Sequence, residues 1–129
     1  MESRVKLLGH PVHQMLIPIP AGLFIVGALL DVVDVFADAR WIPTVSYWNI
    51  GLGVASAVVA ALFGLADWTK IPSNTRAKRI GAMHGIGNGI AALLFAVAFI
   101  MRSQEMAYHA SPAALALEVF SMLLLGVIG

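Results

Sequence analysis

Three histidines are the side chains in this sequence with the clearest capacity for chemistry. His10 and His13 open the first long apolar segment, and His84 lies just inside a later one. An ionisable side chain in an apolar segment is costly, so several at one depth indicate a ligand site. Imidazole binds haem iron, zinc and ferrous iron, and the sequence contains no cysteine that could serve as a ligand instead.

Long apolar segments must position these histidines. The sequence is 60% hydrophobic and 12% charged, about half the charged fraction of a soluble domain. No charged residue occurs in 41–66 or 80–101, and each stretch exceeds the roughly 18–20 residues that cross a bilayer as a helix. Pro18 and Pro20 remove two backbone donors from the first segment, which predicts a kink there. The pattern predicts an all-α, polytopic membrane four-helix bundle. We expect one domain over 1–129, with spans at about 11–36, 47–68, 76–102 and 112–129.

The basic residues predict the orientation of this bundle. Two of the eight, Arg40 and Arg102, lie at one end, and the other six lie at the end that carries the termini: Arg4, Lys6, Lys70, Arg76, Lys78 and Arg79. The positive-inside rule places that richer end in the cytoplasm. We therefore expect a multi-pass protein of the bacterial inner membrane with both termini inside. A net charge of +1 gives no indication of nucleic-acid binding.

The predicted orientation brings the three histidines toward the cytoplasmic leaflet. His84 follows Arg79 by five positions, roughly 7–8 Å at helical rise, and His13 lies at a comparable depth. Asp67 closes the second span on the same side, and Asn88 is one turn deeper than His84 on the same helix face. We expect polar side chains from three spans to share one layer.

Three interpretations of this layer stay open. His13 and His84, with His10 as a further candidate, could hold a b-type haem for electron transfer, with Asn88 or Asp67 as hydrogen-bonding partners. Arg79 and its basic neighbours Arg76 and Lys78 would then neutralise the propionates.

A second interpretation is a Zn²⁺ or Fe²⁺ site for transport or sensing, with the donors His10, His13, His84 and Asp67. In the third, a structural or partner-binding bundle, the histidines only hydrogen-bond between helices. The sequence contains no hydrolase or nucleotide-binding motif, which favours a redox or binding module over a substrate-converting enzyme.

Other polar residues receive simpler interpretations. Asp31, Asp34 and Asp38 end the first span and are expected to form a solvated stripe. Glu118 lies inside the fourth span, where it could serve as a proton-relay group. A pair with Arg102 or a hydrogen bond at the outer end of the span is the simpler interpretation.

Small residues also recur at helical spacing. Gly81, Gly85 and Gly89 repeat every fourth residue in the third span, a pattern typical of a helix-packing seam. A smooth glycine face would equally admit a flat porphyrin. Spans rich in small residues are also compatible with a homodimer.

Three motifs resemble one known family. They are Gly9-His10-Pro11-Val12-His13 followed by Leu16-Ile17-Pro18-Ile19-Pro20; Phe63-Gly64-Leu65-Ala66-Asp67-Trp68 with Ile71-Pro72; and Arg79 through His84 to Asn88. Together they resemble the small bacterial membrane proteins grouped as domain of unknown function 2231. The resemblance implies a four-span bundle, with His10, His13, Asp67, His84 and Asn88 as its matching polar positions.

The same resemblance implies a kind of partner. Some relatives carry or neighbour Rieske-type iron–sulfur domains, which implies membrane redox work with a Rieske-type or other redox protein. Relatives usually continue into a glycine-rich tail with a further histidine, so we expect the natural chain to extend beyond Gly129.

Overall fold

The computed structural model describes residues 3, 5–37 and 39–128, so the predictions for Arg4, Asp38 and Gly129 lie outside the described residues. Four helical segments are long and apolar enough to cross a membrane, which confirms the predicted all-α arrangement of four spanning helices. The elements in chain order are β1 Lys6–Leu7, β2 His10–Pro11, α1 Val12–Leu16, α2 Pro18–Asp34, α3 Trp41–Thr69, α4 Arg76–Arg102, a 3₁₀ turn Met106–Tyr108 and α5 Pro112–Ile128.

A two-residue turn reverses the chain before the first helix. β1 and β2 pair antiparallel, with Leu7 opposite His10. Leu8 and Gly9 connect them with φ values of 52° and 83°. Positive φ at both central residues is the geometry of the tightest hairpins, and glycine adopts it without strain. This hairpin carries His10 and leads directly into α1.

The two prolines interrupt the first span as predicted. α1 ends at Leu16 and α2 begins at Pro18. Ile17 between them keeps helical dihedral angles (φ −51°, ψ −44°), so the chain stays helical while the hydrogen-bond ladder is broken. The break follows from the missing N–H groups of Pro18 and Pro20.

The second span begins earlier than the sequence predicted. α3 starts at Trp41, whereas the sequence placed the start near Tyr47. Pro43 lies in the first turn, where a missing N–H costs nothing because those donors have no partner within the helix. The later helices begin at ordinary caps: the Thr75 hydroxyl accepts from Lys78 N at the start of α4.

The four long helices pack as a ring. α2 packs on α3, α3 on α4, α4 on α5 and α5 on α2. In the centre, Phe24 and Phe95 stack with ring centroids 4.2 Å apart and an interplanar angle of 2°. Ile50 and Ala28 are fully buried beside this stack. The aromatic pair divides the interior into two ends with different chemistry.

Candidate functional site

A large cavity lies at the end of the bundle where α1 begins. Its volume is about 1040 Å³, near the upper limit of the roughly 300–1,000 Å³ typical of small-molecule sites. Most of its wall is apolar, and four of the predicted site residues line it: His13, Asp67, His84 and Asn88. We call this space the histidine cavity.

His13 enters the histidine cavity from α1. Its Nδ1 lies 2.8 Å from the carbonyl oxygen of Ala60 on α3. A carbonyl only accepts hydrogen bonds, so Nδ1 must donate, and in the neutral ring Nε2 is then the atom with the free lone pair. The ring also lies on the backbone of Gly64, where a Cβ would stand 2.6 Å from Cε1. The position of this imidazole is therefore fixed by one hydrogen bond and one glycine.

His84 enters the same cavity from α4 with the same arrangement. Its Nδ1 lies 3.2 Å from the carbonyl oxygen of Ile128, near the end of α5. Within the described part of the chain, Nε2 of neither His13 nor His84 makes a hydrogen bond. A backbone carbonyl on Nδ1 is the usual means by which proteins orient an imidazole that binds a metal through Nε2.

Asn88 lines the cavity one turn beyond His84. Its Nδ2 donates to the backbone oxygen of His84 at 2.9 Å, an interaction within α4. The amide therefore contacts the backbone of His84 and not its ring. The predicted role of Asn88 as a hydrogen-bonding partner at a bound haem stays a prediction.

A glycine face forms part of the cavity wall. A Cβ built on Gly85 or Gly89 would meet no atom within 4 Å, and both glycines line the cavity. Gly81 differs, since its Cβ would lie 2.9 Å from Cδ1 of Trp68. The sequence favoured a packing seam for all three glycines. Within the chain, Gly85 and Gly89 do not form such a seam, since both border open space.

His10 is not part of this site. It lies exposed on the hairpin and does not line the cavity. Asp67 does line the cavity, but its two carboxylate oxygens accept from the Ser3 hydroxyl at 2.9 and 2.7 Å. Across residues 3, 5–37 and 39–128, no three His, Cys, Asp or Glu side chains are close enough to hold a metal ion. The predicted four-residue donor set of His10, His13, His84 and Asp67 is not brought together.

A basic depression adjoins the histidine cavity. It measures about 590 Å³, is lined by Arg76, Lys78 and Arg79, and shares Trp68 and Ala82 with the cavity. The Lys78 ammonium lies 3.6 Å from the centre of the Trp68 ring, and its Nζ donates to Trp68 O at 2.8 Å. The two arginines are exposed. Positive charge therefore stands beside the open apolar space, and the role of Arg79 at haem propionates stays a prediction.

The sequence missed a buried ionic cluster at the opposite end of the bundle. Asp31, expected in a solvated stripe, is 2% exposed. It accepts two hydrogen bonds from Arg102, whose guanidinium is fully buried. The predicted pair between Glu118 and Arg102 is confirmed, at 2.9 Å. Asp34 is half-buried and accepts from His109 at 3.1 Å, so Asp31 and Asp34 do not form the expected solvated stripe.

One signal in the sequence could have identified this cluster. Asp31 and Glu118 both stand inside apolar runs at the end of the bundle that carries only two basic residues. A buried carboxylate requires a partner at its own depth, and Arg102 ends the third apolar run at that level.

The comparisons with known proteins agree with this architecture. A family model described as a predicted membrane protein (DUF2231) matches residues 9–129. No curated protein and no solved structure matches the chain.

Proposed function

The chain belongs to the DUF2231 family of predicted membrane proteins, and from that premise we propose that it binds a b-type haem between His13 and His84. The observation that carries the proposal is the shared geometry of the two imidazoles. They come from different helices, line one cavity, and each donates through Nδ1 to a backbone carbonyl. Each Nε2 is thereby left as the ligating atom.

The walls of the cavity suit a flat, largely apolar ligand with an anionic edge. Gly85 and Gly89 provide a surface without side chains, where a planar ring could lie against the backbone of α4. Arg76, Lys78 and Arg79 border the adjoining depression, where they would compensate carboxylates at the cavity mouth. A haem with both axial positions filled exchanges single electrons and binds no substrate at iron, which supports electron transfer over catalysis.

A partner and a location follow from this proposal. We propose a Rieske-type or other membrane redox protein as the electron donor or acceptor, and the bacterial inner membrane as the location with the histidine cavity toward the cytoplasm. The partner rests on the family resemblance. The location rests on the basic residues Lys6, Lys70, Arg76, Lys78 and Arg79 at the cavity end. A homodimer through the exposed helix faces stays a further prediction.

One observation favours a purely structural alternative. The hydrogen bond from His13 to Ala60 O joins α1 to α3, and that from His84 to Ile128 O joins α4 to α5. Interhelical hydrogen bonds of this kind contribute about 0.6 kcal/mol on average in membrane bundles. The histidines could therefore be retained for packing alone.

Asparagine variants separate the two functions. An asparagine amide can donate to Ala60 O or Ile128 O, as Nδ1 does, but it does not bind haem iron. We would purify the protein in detergent without a polyhistidine tag, titrate it with haemin and record the Soret band. The expected result is saturable binding by the unmodified protein and by the controls His10→Asn and His109→Asn, with the band lost in His13→Asn and His84→Asn. Protein that stays colourless would overturn the proposal, as would asparagine variants at positions 13 and 84 that bind haemin normally.

A further inference from the structure

The four long helices each contribute one polar side chain to a buried cluster at the end opposite the histidine cavity. Its members are Asp31 of α2, Ser46 of α3, Arg102 of α4 and Glu118 of α5. None is more than 2% exposed. We call this group the Arg102 cluster. It is separate from the proposed haem site and lies beyond the central aromatic stack.

The guanidinium of Arg102 has all its donors engaged. Nη1 contacts Asp31 Oδ2 at 2.5 Å and Glu118 Oε1 at 2.9 Å. Nη2 donates to Asp31 Oδ1 at 3.0 Å and to the carbonyl of Pro43 at 2.9 Å. Nε donates to the carbonyl of Tyr108 at 2.9 Å. The group is always protonated in proteins and therefore supplies a single positive charge.

The cluster contains one more carboxyl group than this charge can balance. Arg40 and Glu105, at the same end, are exposed, and the half-buried Asp34 is paired with His109. No second cation among the described residues contacts Asp31 or Glu118. Two ionised carboxylates would leave an uncompensated negative charge inside an apolar bundle, which is strongly unfavourable. The two carboxyl groups are also neighbours, because Asp31 Oδ2 and Glu118 Oε1 both contact Nη1 of Arg102. Two negative charges this close together repel, which favours the neutral form of one of them.

The contacts of each carboxyl group determine which one holds the proton. Both oxygens of Asp31 accept from Arg102, and Oδ2 also accepts from the Ser46 hydroxyl. Glu118 accepts through Oε1 alone, and its Oε2 is fully buried without a partner in the described structure. We propose that the Arg102 cluster is a proton-binding site, in which Glu118 is a neutral carboxylic acid and Asp31 is ionised.

Release of this proton would alter the packing of the bundle. Loss of H⁺ from the Glu118 carboxyl leaves a carboxylate facing Asp31, so the cluster gains one negative charge and the two groups repel. α5 carries Glu118 and α2 carries Asp31, and these helices are neighbours in the ring. The site therefore couples proton occupancy to the contact between α2 and α5.

Infrared spectroscopy of the full chain in detergent tests this assignment. We expect a carboxylic acid C=O band at neutral pH that shifts in D₂O, is lost in Glu118→Gln and is retained in Asp34→Asn, a matched control one turn beyond Asp31. Absence of the band in the unmodified protein would overturn the proposal, and so would a band that persists in Glu118→Gln.

Thermal unfolding provides an independent measurement. Glutamine resembles a neutral glutamic acid in shape, so Glu118→Gln should leave Tm close to that of the unmodified protein. Asp31→Asn removes the charge that balances Arg102 and should lower Tm by several degrees or prevent folding. Equal losses of Tm in Asp31→Asn and Glu118→Gln would show that both groups are ionised and would overturn the proposal.

Discussion

Arg102 and Asp31 stand 71 positions apart in the sequence, yet they form a two-pronged ion pair in the interior of the bundle. Nη1 contacts Oδ2 at 2.5 Å and Nη2 donates to Oδ1 at 3.0 Å. The pair joins α2 to α4, two helices that lie across the ring from each other. The ion pair therefore fixes the distance between α2 and α4, which contacts between neighbouring helices do not determine.

Replacement of Arg102 by methionine should strongly destabilise the bundle. The substitution leaves the Asp31 carboxylate buried without a charge partner, and loss of one member of a buried pair costs about 3–5 kcal/mol. Arg40→Met is the matched control, since Arg40 is exposed and should change the free energy of unfolding by less than about 0.5 kcal/mol. Denaturant titration in mixed micelles measures the free energy of unfolding of both variants. Similar values for the two variants would show that the buried pair contributes little.

The central aromatic stack predicts a second large effect. Phe95 is fully buried against Phe24, whereas Phe120 is 57% exposed on the outer face of α5. Phe95→Ala should cost about 3 kcal/mol, because it opens a cavity that the surrounding helices cannot fill. Phe120→Ala removes a ring that faces outward and should cost much less. Denaturant titration in mixed micelles measures the free energy of unfolding of both variants. Equal losses of that free energy would contradict the burial of Phe95 in the aromatic stack.

The sequence predicted those features of the fold that depend on local composition. Four long, predominantly apolar runs define the four spanning helices, and Pro18 interrupts the first one because it lacks a donor. The sequence placed the start of α3 near Tyr47, six residues after its actual start at Trp41, and Pro43 lies in the added first turn. Proline is acceptable both in a connecting segment and in a first helical turn, and a sequence pattern does not distinguish the two contexts.

Features that depend on contacts between helices were harder to predict. Asp31 has the position expected of a helix-end carboxylate, and its burial follows from Arg102, which is distant in sequence. Gly85 and Gly89 have the spacing of a packing seam, but no other atom of the chain lies within 4 Å of where their Cβ atoms would stand. The sequence did place His13 and His84 at one level, because the depth of a residue in a span follows from its number of positions beyond the charged end.

Gly64→Ala and Gly85→Ala should have opposite effects on stability. The new methyl at position 64 would lie 2.6 Å from the His13 ring, so the ring must move or lose its hydrogen bond to Ala60 O. Overpacking of this kind costs about 1–3 kcal/mol. At position 85 the methyl meets nothing within 4 Å, and alanine favours the helix by up to about 1 kcal/mol over glycine. The unfolding midpoints of the two variants test this prediction. A Gly64→Ala variant with the midpoint of the unmodified protein would show that the His13 ring is not constrained.

Leucine at position 89 should fill the histidine cavity while leaving the bundle folded. A side chain there extends into open space on the cavity wall, so no neighbouring helix has to move. Leucine is also a better helix former than glycine, so the unfolding midpoint should stay the same or rise. Haemin binding should nevertheless weaken at least about tenfold, a loss of about 1.4 kcal/mol, because the ligand and the new side chain compete for one volume. Gly22→Leu is the matched control: Gly22 is helical and equally open, but it lies outside the cavity. If Gly89→Leu bound haemin as tightly as Gly22→Leu, the ligand would have to lie elsewhere, and the glycine face would have no part in binding.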